Sequence, residues 1–132
     1  MITGTLQRRW QQDKPAAYNK QTRIVNLDII AEPRTDEDGN EQQGWSYIPV
    51  EIDRHIDYGH IKSQLIESGF AQKDEFGLLM NAVEGIVAAI SAAKTWDEFK
   101  ALCDTDDLRR FTAFCQFRAL CAAAAKEVMA HY

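Results

Sequence analysis

The chain has 132 residues, 45% of them apolar and 27% charged, and a formal net charge of -5. That length suits one domain able to bury roughly two-thirds of the surface its unfolded chain exposes, so neither a metal nor a disulfide is needed for folding. The acidic balance argues against a nucleic-acid protein held by broad phosphate contacts, which needs a basic face, and against an anionic membrane surface for the same reason.

From Met1 to about Asp53 the pattern is one of strands and polar turns, and from residue 54 to 132 it is helical. "TGTLQRRW" near the start reads as a short strand. In "TRIVNLDIIAE" Val25, Leu27 and Ile29 alternate with Asn26 and Asp28, which is the period-2 signature of a strand over residues 22 to 31 with one buried face. "PRTDEDGNEQQG" follows, and Asp38-Gly39 marks the tip of a loose hairpin. The return strand is "WSYIPVEID", with Ser46, Ile48, Val50 and Ile52 on one face. Pro49 has no amide to give to a ladder, so an edge strand or a bulge is expected there.

After Asp57 the apolar period becomes 3.6. Ile61, Leu65 and Ile66 form a short stripe, and Gly69 is placed to stop that helix. A second helix is expected from about Asp74 to Ala93, its core face carrying Phe76, Leu79, Met80, Val83, Ile86, Val87 and Ile90. Thr95 and Glu98 form a capping box, so a short third helix begins there. The last helix, about Asp106 to Ala130, is apolar almost all round from Phe111 to Ala125, a pattern normal for a helix buried at a domain's centre or in a subunit contact. The expected fold is therefore α+β, an N-terminal antiparallel β-hairpin or small meander followed by a bundle of about four helices with a central C-terminal helix.

Asp53, His55, Asp57 and His60 crowd the seam between strand and helix. On a continued strand the first three would share one face, and mixed nitrogen and oxygen ligands of this kind can hold zinc or iron. The competing explanation is plainer: Asp57 stands where a helix N-cap belongs, its carboxylate able to accept from the amides of Gly59 or His60. The chain has no phosphate-binding GxxxxGK[ST] loop, no GxGxxG, no HExxH and no GxSxG nucleophile elbow. No cofactor is implied. Cys115 lies among Phe111, Phe114 and Phe117 and reads as a buried thiol serving as a small apolar side chain. The three phenylalanines read first as core and second as an interface, and Arg118 beside them must pair with a carboxylate, cap carbonyls or face a partner chain.

Cys103, Cys115 and Cys121 cannot all pair, and none forms a CxxC, an odd count that suits a reducing compartment. The opening "MITGTLQRRWQQDK" lacks an apolar core of signal-peptide length, and the longest nearly uncharged run, Gly85 to Ala93, is shorter than a bilayer span. A cytoplasmic protein is expected, with entry into a particle assembled there compatible.

"IDYGHIKSQLIESGFAQKDEFGLLMNAV", residues 56 to 83, resembles a segment of small uncharacterised proteins encoded in phage and prophage tail modules. The shared positions are Tyr58, Ile61, Leu65, Ile66, Asp74, Glu75 and Asn81. The closing "LRRFTAFCQFRALCAAAAKEVM" is similar to the aromatic-arginine, alanine-rich C-terminal helix of that group, with Phe117 and Arg118 at the aromatic-arginine step. Phe117 replaces the tryptophan expected there, and Gly69-Phe70 a lysine-tyrosine step. The two stretches cover under half the chain and carry no catalytic residues. The resemblance implies a noncatalytic structural or assembly protein acting through a protein partner or self-association, with Phe111, Phe114, Phe117 and Arg118 as interface candidates. The alternative is a small metal-dependent hydrolase using Asp53, His55, Asp57 and His60.

Overall fold

The computed structural model describes residues 6–70 and 72–132, with Gln72 and Lys73 described in backbone only. The strands are β1 (Arg9–Gln11), β2 (Tyr18–Asn19), β3 (Ile24–Ala31), β4 (Arg34–Thr35), β5 (Glu41–Gln42) and β6 (Trp45–Glu51). They are followed by α1 (Tyr58–Gly69), α2 (Gln72–Ala92), α3 (Trp96–Leu102) and α4 (Asp106–Met129). The molecule is α+β as expected, with an antiparallel sheet of order β1-β6-β3-β2 and a separate β4-β5 hairpin. Of the strand expected in "TGTLQRRW", the part at residues 3–5 lies outside the described residues; its end falls in β1.

β3 and β6 form the spine of the sheet, paired from Ile24 with Glu51 to Ala31 with Trp45. The period-2 reading of β6 holds: Ser46, Ile48, Val50 and Ile52 are all buried. The same reading of β3 breaks at Asp28, where φ is +49 and the register slips by one residue between Leu27 and Ile30. This is a β-bulge, and beyond it Ile30 pairs with Ser46, where unbroken alternation would have paired it with Trp45. Arg8 fastens the bulge with three hydrogen bonds, from Nη1 to Asp28 Oδ2 at 2.9 Å, from Nη2 to the Asp28 carbonyl at 2.7 Å and from Nε to the buried Ser46 Oγ at 2.6 Å. Pro49 sits where β6 changes from an inner to an outer strand. The amide of Asn26, its partner on β3, turns away to the Ala17 carbonyl, so the proline nitrogen points to the side where β1, paired only as far as Tyr47, has ended. Between the two long strands Gly39, at φ +84, and the Asp36 carboxylate, which accepts from the amides of Asp38 and Asn40, shape the β4-β5 turn.

Three helix starts follow their cap residues. Asp57 accepts from the His60 amide at 3.0 Å, Thr95 from Glu98 at 3.2 Å and Thr105 from Leu108 at 3.3 Å. Glu98 completes its box one residue early, accepting from the Lys94 amide. Gly69 serves differently from the expected stop. It closes α1 without a left-handed conformation, and a Cβ there would stand 2.6 Å from the Phe117 ring, so glycine lets α1 and α4 approach.

The core joins sheet and helices. Val25, Leu27, Ile48, Val50 and Ile52 from the sheet meet Ile61, Leu65, Ile66 and Phe70 from α1 and its cap, and Phe114, Phe117, Cys121, Ala125 and Val128 from α4. The last helix is central, packed on β3, α1 and α2. It buries one face, however, and not its whole circumference: Cys115, Ala119 and Leu120 are exposed. The buried thiol is Cys121, pushed up to about 12 by burial and so held as a thiol, whereas Cys115 faces solvent. At the far end Tyr18 and Tyr132 share a 2.8 Å hydroxyl contact that ties the C-terminus to β2.

The largest departure is α2. Its expected core face points outward: Phe76, Leu79, Met80, Val83, Val87 and Ile90 are exposed, and only Ile86 of that set is half-buried. The inward side carries Ala82 and Ala89, both buried, with Gly85 half-buried between them and Leu78 half-buried one turn before. Small side chains let two helix axes come close, and that closeness is available only on the alanine and glycine side.

Candidate functional site

The strand-to-helix seam brings some of its four charged residues together. Asp53 Oδ2 lies 2.7 Å from His60 Nε2, Asp53 Oδ1 accepts from the His55 amide at 2.9 Å, and the His55 and His60 rings stack with centroids 4.5 Å apart. The hydrogen bond from His60 holds the Asp53 carboxyl below the usual carboxylate range, with the His55 amide adding to it. Asp57 turns the other way, onto the amide of His60, and acts as the helix cap. All four residues except His60 are exposed. Among the described residues no group of three or more histidines, cysteines or acids is arranged to hold a metal ion. Among those residues the hydrogen-bond partners of the two histidines are Asp53 and Asp57.

The aromatic set on α4 is divided. Phe114 and Phe117 are buried against Phe70, with ring centroids at 4.9 Å and 5.4 Å, and Phe111 is half-buried beside Phe114. Arg118 lies on the surface, its Nη1 3.6 Å from Glu75 Oε1 on α2 and its guanidinium 5.8 Å from the Phe114 ring centre. Both candidate rings and cation thus have partners within the chain. Between α2 and α4 runs a groove of about 390 Å³ lined by Phe76, Leu79, Phe111, Phe114 and Cys115, with Glu75 and Arg118 at its edge.

The feature that sequence reasoning assigned to the interior is the outer face of α2. From Asp74 to Ala92 this helix has the length and apolar character to cross a membrane, and only 11% of that stretch is buried. The signal was in the chain: Ala82, Gly85 and Ala89 recur at helical spacing on one side, the large apolar residues on another, and Asp74, Asn81 and Glu84 lie between them. A helix with two apolar faces has two things to cover, and the domain covers the smaller one.

A second cavity, of about 450 Å³, opens between the sheet and α4 over Leu27, Ile48, Phe70 and Phe117. Its polar rim is the Arg8–Asp28 pair, which is already engaged in holding the bulge. Comparisons with protein-family models, with curated proteins and with solved structures find no match for this chain.

Proposed function

We propose that this chain is a noncatalytic structural or assembly protein of phage or prophage origin that works through protein–protein contacts. One observation supports the contact part of this reading: a continuous row of large apolar side chains along α2 stands in water. Exposed apolar rows of this length mark surfaces that are covered in the working state. The origin rests on the resemblance of residues 56 to 83 and of the C-terminal helix to tail-module proteins. On this reading the interface is α2 and its groove, which Phe111 and Phe114 line and Arg118 borders, while Phe117 lies away from it against the sheet-side cavity.

The test is coexpression with the genes that flank it, isolation of assembled particles and mass spectrometry of their contents, beside elemental analysis of the purified chain. The chain is expected in particles at a fixed stoichiometry and is expected to be lost from them on Val87→Glu. A chain absent from particles and carrying one zinc or iron that His60→Ala removes would overturn this reading in favour of a metal-dependent hydrolase.

A further inference from the structure

We infer that the outer face of α2 is the seam of a symmetric, antiparallel dimer of this chain, an inference that rests on the protein-contact reading and names a second copy as the partner. Phe76, Met80, Val83, Val87 and Ile90 follow one another at steps of four, three, four and three residues. That alternation sets them in one stripe along the helix, the arrangement by which one helix packs lengthwise against another.

The area fits the same occupant. With Phe76 67%, Ile90 63% and Val87 56% exposed, the six outward side chains leave on the order of 600 Å² in water, the upper end of what a monomer leaves uncovered. Two copies together would bury about 1,200 Å², the lower bound of stable specific interfaces, and the adjoining groove between α2 and α4 extends the contact.

Charge selects the direction and argues against a bilayer. Asp74, Glu75 and Glu84 are the acids of the stretch from Asp74 to Ala93, which contains no lysine or arginine, while Lys94 stands immediately after it. In a parallel pair the acidic first turns would lie side by side. In an antiparallel pair centred on Val83, Phe76 meets Ile90 of the second copy, and the acidic turn comes beside the second copy's Lys94. The helix dipoles also oppose, and each acidic turn keeps to the positive end of its own helix. A symmetric contact of this kind closes on itself and needs no third chain.

Sedimentation of the full chain from low-micromolar to near-millimolar concentration tests this, with Val83→Glu and Val87→Glu as outward-facing variants whose folding circular dichroism verifies. A reversible dimer is expected, with a dissociation constant raised about tenfold or more by either variant. Mixed Phe76→Cys and Ile90→Cys chains, each also carrying Cys103→Ser and Cys115→Ser, are expected to cross-link to each other. Phe76→Cys cross-linking to itself would overturn the antiparallel seam. A parent that stays monomeric throughout, or a dimer indifferent to both glutamates, would overturn the dimer. So would a monomer that binds phosphatidylcholine vesicles in an α2-dependent way, because the face would then belong to a bilayer. A monomer that still enters particles through α2 would refute self-association while leaving the assembly reading intact.

Discussion

The two long helices, α2 and α4, are both rich in apolar residues, yet they spend them in opposite directions. α4 turns Phe114, Phe117, Cys121, Ala125 and Val128 into the core and leaves Cys115, Ala119 and Leu120 outside. α2 turns Ala82, Gly85 and Ala89 inward and leaves Phe76, Leu79, Met80, Val83, Val87 and Ile90 in water. Apolar content alone does not say which face is core. What decides is the space a neighbour leaves: α4 already fills the interior with phenylalanine, and α2 turns mainly small side chains, with Leu78, inward.

The sharpest break in this comparison is Phe114→Asp, which puts an unpaired charge among Phe70, Phe111 and Phe117. A loss of more than about 4 kcal/mol, or failure to fold, is expected in denaturant unfolding. Gly69→Ala comes next. Its Cβ would press on the Phe117 ring, and the buried ring has little room to yield, so calorimetry should read a loss of about 1–3 kcal/mol.

Smaller effects sharpen the account of the seam. Asp57→Ala should cost about 1 kcal/mol in urea unfolding through loss of the cap, whereas the exposed His55 should be replaceable by alanine at almost no cost. Arg118→Ala should change stability by less than about 0.5 kcal/mol, because its pairing with Glu75 is half-exposed. The Asp53 carboxyl is lowered in the fold, so the stability it adds is present above the ordinary carboxylate pKa and is lost as pH falls through the lowered one, below about pH 4. Asp53→Asn should flatten that acid limb of the stability curve, measured by thermal unfolding across pH, and lower the neutral plateau by the same small amount.

Much of the architecture was legible because it depends on local chemistry. The caps at Asp57 and Thr95 have their signal in neighbouring residues, and the alternation of Ser46, Ile48, Val50 and Ile52 states which face of β6 is buried. The bulge at Asp28 was hidden, since it depends on Arg8, twenty residues away in the chain, to hold a left-handed aspartate. The two apolar sides of α2 were visible in Ala82, Gly85 and Ala89 opposite the large residues, but which of them turns inward depends on how α4 fills the core. The four polar residues of the seam stand close in sequence, but their hydrogen bonds separate a cap from an Asp–His pair, a division that spacing alone does not draw.

The claim that one apolar helix holds the fold while the other meets a partner is most directly tested by urea unfolding of a Phe76→Ser, Val83→Ser, Val87→Ser triple variant across protein concentration. At the lowest concentration its midpoint should match the parent's, because these side chains are in water in the single chain. As concentration rises the parent should gain stability by mass action and the variant should not. A loss of several kcal/mol at every concentration would contradict the claim, because it would place the outer face of α2 inside the fold.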